Sequence, residues 1–134
     1  MKKKTWQTLV KDLDKEFSIN VRLKASNNGI ARCVTCGIAK EWKKLQAGHY
    51  HSRSHFNLRW SHSNVFPQCV SCNVFKSGNY PSFTEYLILK FGTRFLKTLM
   101  RNANKIRKYS TKELEELITL YSEENKKLLK TNSI

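Results

Sequence analysis

Apolar residues near the start of the chain fall at helical spacing. Trp6, Leu9, Val10, Leu13 and Phe17 recur every three or four positions, with charged residues between them. One apolar stripe and one solvated face are what an amphipathic helix requires, and Thr5 stands where an N-cap belongs. Phe17, Ile19, Val21 and Leu23 also alternate, as a strand would. The interleaved charges favour a helix continuing to about Lys24. Asn27-Asn28-Gly29 then signals a turn, and Ile30 to Val34 a short strand.

Residues 40–80 lack helical period and are rich in His, Ser and Asn. They read as a hairpin with a long loop, then a short helix that starts near Cys69 and ends at Ser77-Gly78-Asn79. Helical spacing returns afterwards. Ser82 with Glu85 has the form of a capping box, Phe83, Tyr86, Leu87 and Phe91 give an apolar face, and Gly92 suits a C-cap. Phe95, Leu96, Leu99 and Met100 mark a second helix, followed by a basic connector from Arg101 to Lys108. Ser110 with Glu113 caps a last helix whose apolar side carries Leu114, Leu117, Ile118, Tyr121 and Leu128. Thr131 to Ile134 reads as a frayed tail. The pattern predicts one α+β domain: an N-terminal helix in 1–32, a mixed central unit in 33–80 and C-terminal helices in 81–134.

Charge narrows the partners. The 134 residues carry a net +15, and each of the three segments carries +5. The excess is therefore not confined to a tail and points to a polyanion, most simply nucleic acid. Hydrophobic residues at 40% and charged residues at 26% are globular proportions. No apolar run approaches a membrane span. Met1-Lys2-Lys3-Lys4 is not followed by the apolar core of a signal peptide. The expected location is cytoplasmic, where thiols stay reduced.

That redox setting makes the cysteines metal ligands. All four lie in two CxxC pairs, Cys33–Cys36 and Cys69–Cys72. Each turn aims two thiolates at one ion, and two such turns close a tetrahedral zinc site with no open position. Such a zinc is structural. Thirty-two residues separate Cys36 from Cys69, so the metal would tether a sizeable insert at both ends. The insert holds His49, His51, His55 and His62. His49 follows Gly48, and Asn64 and Asn73 are its nearest candidates for shared chemistry.

The residues Cys33-x-x-Cys36-Gly37, Gln46-Ala47-Gly48-His49-Tyr50, Asn64 and Gln68-Cys69-x-x-Cys72-Asn73-x-x-Lys76-Ser77-Gly78-Asn79 together resemble the phage NinG proteins. These are also called Rap and are recombination nucleases related to the HNH endonucleases. The resemblance extends from about Trp6 through the C-terminal helix. It implies a zinc-stapled ββα-metal core and a catalytic constellation of His49, Asn64 and Asn73. By that resemblance His49 is the general base, Asn64 ties down the loop, and Asn73 is a ligand to a catalytic Mg²⁺ or Mn²⁺. It also implies action on branched DNA such as Holliday junctions and D-loops, in the host cell's cytoplasm. A symmetric junction would favour a homodimer.

One departure affects the metal. Many HNH nucleases carry an aspartate before the histidine, where this chain has Gly48. No Asp follows Asp14, and Glu41 is the only acid between positions 17 and 84. His49 therefore remains open as a ligand to the ion instead of the base. Arg53, Arg59 and Lys76 are candidate phosphate contacts near the site. Lys105, Arg107 and Lys108 form a candidate general DNA-binding patch. Two rival functions remain: a zinc-stabilised DNA-binding module without catalysis, and a sequence-specific homing or restriction-type nuclease.

Overall fold

The computed structural model describes residues 3–132. Helix α1 (Trp6–Lys24) starts at Thr5, whose hydroxyl accepts from the Thr8 N–H at 3.1 Å. The helix reading of the 17–23 stretch prevails because Leu9, Val10, Leu13, Phe17 and Val21 share one buried face. Two small antiparallel hairpins follow. Strands β1 (Ile30–Arg32) and β2 (Ala39–Glu41) flank the first cysteine pair. Strand β1 ends two residues earlier than its apolar run, and β2 was not foreseen. Strands β3 (Leu45–His49) and β4 (Val65–Cys69) pair with Leu45 opposite Cys69 and His49 opposite Val65. Their long connection holds a single helical turn, α2 (Phe56–Arg59).

After β4 the chain makes a π-helical turn (Ser71–Phe75), then α3 (Tyr80–Phe91), α4 (Thr93–Ala103) and α5 (Thr111–Thr131). Gly92 ends α3, and Ser110 with Glu113 forms the expected capping box on α5. Ser82–Glu85 is no capping box. Helix α3 begins earlier, with Asn79 as N-cap and Pro81 in the first turn, which places Ser82 inside the helix. None of the described helices is long and apolar enough to cross a membrane.

Helices α1 and α5 pack along each other in parallel, with Trp6 beside Tyr109 and Asn20 beside Asn125. Leu114 joins the α1 face, with Val65 and Trp60 beneath it. Polar locks fix the register. Asn20 Nδ2 donates to Glu124 and to Asn125, and Asn125 Nδ2 donates to the Glu16 carbonyl. Thr131 and Asn132, read as frayed tail, do not fray: Thr131 ends α5 and Asn132 caps it. That residue is buried, and its Oδ1 accepts from the Gly29 N–H at 3.0 Å. The rest of that tail, Ser133 and Ile134, lies outside the described residues.

The four cysteine sulfurs converge between the hairpins, all within 4.8 Å of one another. The Cys36–Cys69 sulfur separation is 3.7 Å, close to the roughly 3.8 Å edge of a tetrahedron with bonds of about 2.3 Å. The cluster can thus hold one metal ion. Against the penalty of burial, the Thr35 hydroxyl and backbone N–H groups bring the Cys33 thiol down to about 6. The Ile38 N–H favours the Cys36 thiolate, but burial and the other three cysteines push it up to about 12. Four sulfurs this close repel one another's negative charge, which a bound cation neutralises. A further bond, from the Val34 N–H to the Pro67 carbonyl at 3.0 Å, ties the first cysteine turn to β4.

Elemental analysis of the purified protein should therefore find one thiolate-bound metal per chain. Cys72→Ser should lose the metal and lower Tm, since metal binding at such sites contributes folding energy. Unchanged metal content in Cys72→Ser would remove this cluster as the site.

Candidate functional site

A cavity of about 480 Å³ opens beside the edge of β3. Its walls come from five elements: Asp14 of α1, Gln46 and His49 of β3, Arg53 of the long connection, Asn73 of the π-helical turn and Tyr80 at the start of α3. Two of the three residues implied as catalytic therefore meet in one cavity, and the third stands behind it.

His49 is held by its Nε2, 2.9 Å from the Arg59 backbone carbonyl. A carbonyl only accepts, so Nε2 carries the proton and Nδ1 keeps its lone pair. Burial pushes the His49 pKa below its ordinary 6.5, opposed by the Arg59 carbonyl and the Asp14 charge. The imidazole is neutral at neutral pH, with one defined basic nitrogen. That nitrogen suits either a general base or a metal ligand.

Asn73 lines the cavity and donates its Nδ2 to Gln46 Oε1 at 2.7 Å. Its Oδ1 has no hydrogen-bond partner among the described residues, and so is the atom left to bind a ligand. One-turn π-helices recur at functional sites, and here that geometry carries Asn73. Asn64 plays a different part. It is fully buried, accepts from the His51 N–H at 2.8 Å and donates to the carbonyls of His51 and Leu58. It braces the loop beyond His49 and touches nothing in the cavity.

Asp14 is the residue that sequence reasoning missed. Arg59 Nε and Nη2 reach its two oxygens at 3.0 and 2.7 Å, and Trp60 Nε1 donates to it at 2.9 Å. This bidentate pair fixes the end of α2, and so fixes the carbonyl that holds His49. Arg59 Nη1 also donates to the Arg53 carbonyl at 3.0 Å. The Arg59 side chain is only 14% exposed and lies over Phe56 and Trp60. Its expected phosphate contact is replaced by this bracing role, because Asp14 occupies the guanidinium. A charge on α1 separated from His49 by the whole first hairpin leaves no spacing signal in the sequence.

Arg53 remains a surface cation, with its side chain 64% exposed and 3.7 Å from Asp14. Lys76, Lys105 and Lys108 are exposed and lie outside the cavity lining. Arg107 is partly engaged, by Glu113 at 2.6 Å and by the Tyr109 ring. The loop carrying His55 and Asn57 bonds to the carbonyls of Ala103 and Asn102, which sets the basic connector beside the long connection.

Gly48 has a steric cause. A Cβ there would lie 1.9 Å from Gln68 Oε1 and within 2.8 Å of two more Gln68 atoms. The Gln68 side chain is fully buried and donates to the Gly78 carbonyl at 2.8 Å and to Thr35 Oγ1 at 3.2 Å. Its Oε1 has no hydrogen-bond partner among the described residues. The space for an aspartate beside His49 is filled from the opposite strand.

The chain matches the family model described as Bacteriophage Lambda NinG protein over residues 1–131. It is 30% identical over 104 residues to the ninG protein of Escherichia phage lambda, covering 75% of this chain and 49% of that protein. The ninG protein of Salmonella phage P22 is 29% identical over the same shares of each chain, and that of Escherichia phage 933W is 30% identical over 75% and 50%. The chain thus spans about half the length of the curated relatives it matches. No solved structure matches. With the family model covering all but the last three residues, the chain belongs to the NinG family.

Proposed function

We propose that this protein is a divalent-metal-dependent DNA endonuclease that hydrolyses phosphodiester bonds in branched recombination intermediates, such as Holliday junctions and D-loops. The observation that carries the reading is His49. Its Nε2–H is fixed on the Arg59 carbonyl, and it shares a cavity with Asn73 and an exposed arginine. The order of elements supports it. Strand β3 ends in His49 and pairs with β4, which leads into the helical turn bearing Asn73, an order that supports the HNH-like ββα-metal reading.

Hydrolysis needs a base for water, charge neutralisation at the phosphate and a dry, shaped setting. His49 Nδ1 takes the proton from the attacking water. Arg53 meets the negative phosphate, with Lys76, Lys105, Arg107 and Lys108 holding flanking DNA. The Asn73 amide oxygen is the cavity's uncommitted hard donor, since both Asp14 oxygens already accept from Arg59 and Trp60, so a hard cation would rely mainly on water and substrate phosphate. Mg²⁺ commonly takes only one or two carboxylates and completes its shell with water and substrate phosphate. When bound, Mg²⁺ or Mn²⁺ would neutralise the phosphate oxygens and the leaving 3′ oxygen. The four-cysteine cluster is assigned to a structural zinc, because four sulfurs leave no open position. A two-copy assembly through the C-terminal helices would supply the two cuts that a symmetric junction requires.

The metal-loaded protein should cleave a four-way junction with Mg²⁺ or Mn²⁺ and not with EDTA. His49→Ala should slow cleavage by about 10²–10⁴-fold while leaving DNA affinity and the cysteine-bound metal unchanged. Binding without cleavage in every divalent metal would instead identify a zinc-stabilised DNA-binding module. Because the neutral imidazole is the base and burial lowers its pKa, the rate should be level above pH 6.5 and fall as pH drops below it. A decline that begins above pH 7 would contradict that assignment. Gly48→Asp should not create a better metal site. It should displace Gln68 and destabilise the fold by about 1–3 kcal/mol, measurable as a lower denaturation midpoint.

A further inference from the structure

The turn between the π-helical segment and α3 is strained. Ser77, Gly78 and Asn79 stand in succession at φ +49°, +96° and +49°. Asn tolerates that region, but Ser has no such preference. Strain of this kind persists only where surrounding structure enforces it, and it concentrates at functional sites. Here the enforcement is visible. Gln68 Nε2 donates to the Gly78 carbonyl, the Gly78 N–H donates to the Cys72 carbonyl at 2.9 Å, and Asn79 Nδ2 reaches Cys72 Sγ at 3.5 Å. The metal cluster thus holds the turn in its costly form.

What the turn delivers is Tyr80. Its ring lines the same cavity as His49 and Asn73. It lies against Gly78 so closely that a Cβ there would be 3.1 Å from Tyr80 Cε2. It also meets the Tyr50 ring edge-on at 5.8 Å, and the Tyr50 hydroxyl is bonded to Thr84 at 2.7 Å. The ring is fixed in place and yet 44% exposed, and its hydroxyl has no hydrogen-bond partner among the described residues. The same turn leaves Phe75 81% exposed, next to Lys76. Aromatic surface held open beside cations is the combination that binds unpaired nucleic acid.

We propose that Tyr80 is a base-stacking subsite that receives one unpaired nucleotide adjoining the phosphate in the His49–Asn73 cavity. In a continuous duplex both faces of each base are covered by neighbouring bases. At a branch point or in a single strand one face is open, so the ring selects DNA structure without selecting sequence. This deepens the nuclease reading and rests on it only for the cleavage step, since the stacking itself is a binding event.

The test compares wild type, Tyr80→Phe and Tyr80→Leu, each full-length and metal-loaded, without added Mg²⁺ or Mn²⁺. The probes are a short single strand, a paired duplex of the same sequence, and a four-way junction with 2-aminopurine beside the crossover. Leu keeps apolar contact with Gly78 and Tyr50 but removes the ring, and unchanged Tm and metal content would show that the fold survives. Tyr80→Leu should weaken single-strand and junction binding at least about fivefold, leave duplex binding unchanged and abolish the 2-aminopurine quenching. Tyr80→Phe should behave as wild type. An equal loss on all three DNAs, no loss on any, or an equal loss in Tyr80→Phe would overturn the proposal. A wild type that quenches here but cleaves no junction once Mg²⁺ or Mn²⁺ is added would sink the nuclease reading and leave the stacking subsite standing.

Discussion

The convergence of four cysteine sulfurs on one point is the constraint from which the rest of the site follows. Two strands of five residues do not hold themselves together in water. Here the β3–β4 hairpin is clamped because Cys69 ends β4 and Cys72 lies in the helical turn beyond it, and both close on the turn between β1 and β2. Position follows outward from that clamp. Asn73 directly follows a cysteine, Gln68 directly precedes one, and the strained turn that presents Tyr80 is bonded to Cys72. The cysteine cluster does no chemistry in this account, yet it positions Asn73 directly and Tyr80 through the turn bonded to Cys72.

A second constraint reaches the cavity from the opposite side. Helix α1 buries one face against β4 and α5, and its polar edge carries Asp14 to the end of α2. The resulting Asp14–Arg59 pair is mostly shielded from water, where loss of one partner leaves an uncompensated charge and is costly. Its effect at the site is indirect: it fixes a carbonyl, the carbonyl fixes the His49 tautomer, and the tautomer decides which nitrogen is basic. The cysteine cluster and helix α1 thus supply different things. One sets where Asn73 and Tyr80 stand, and the other sets what His49 can do.

Features with local causes were legible in the sequence. The stripe of α1, the Thr5 and Ser110 caps and the turn at Asn28-Gly29 depend on residues a few positions apart, and all appear as the pattern predicts. The CxxC spacing predicted the cysteine cluster for the same reason. Features with non-local causes were hidden. Asp14 acts across the first hairpin. Arg59, which reads as a surface cation, is claimed by that distant carboxylate. Ser82–Glu85 has the letters of a capping box, but Asn79 and Pro81 start the helix first. Asn132 reads as tail until the packing of α5 on α1 carries it to Gly29. The absent aspartate at position 48 is explained only by Gln68, which stands opposite Gln46, two residues along β4 from Gly48's partner Phe66.

The central claim is that DNA phosphate occupies the cavity between His49 and Asn73. A crystal structure of the protein with branched DNA and Mn²⁺, with the manganese located by anomalous scattering, tests it most directly. The account predicts a phosphate and the manganese inside that cavity, with His49 Nδ1 facing the phosphorus and Nε2 still on the Arg59 carbonyl. DNA seated on another face, with the cavity holding neither phosphate nor manganese, would contradict it.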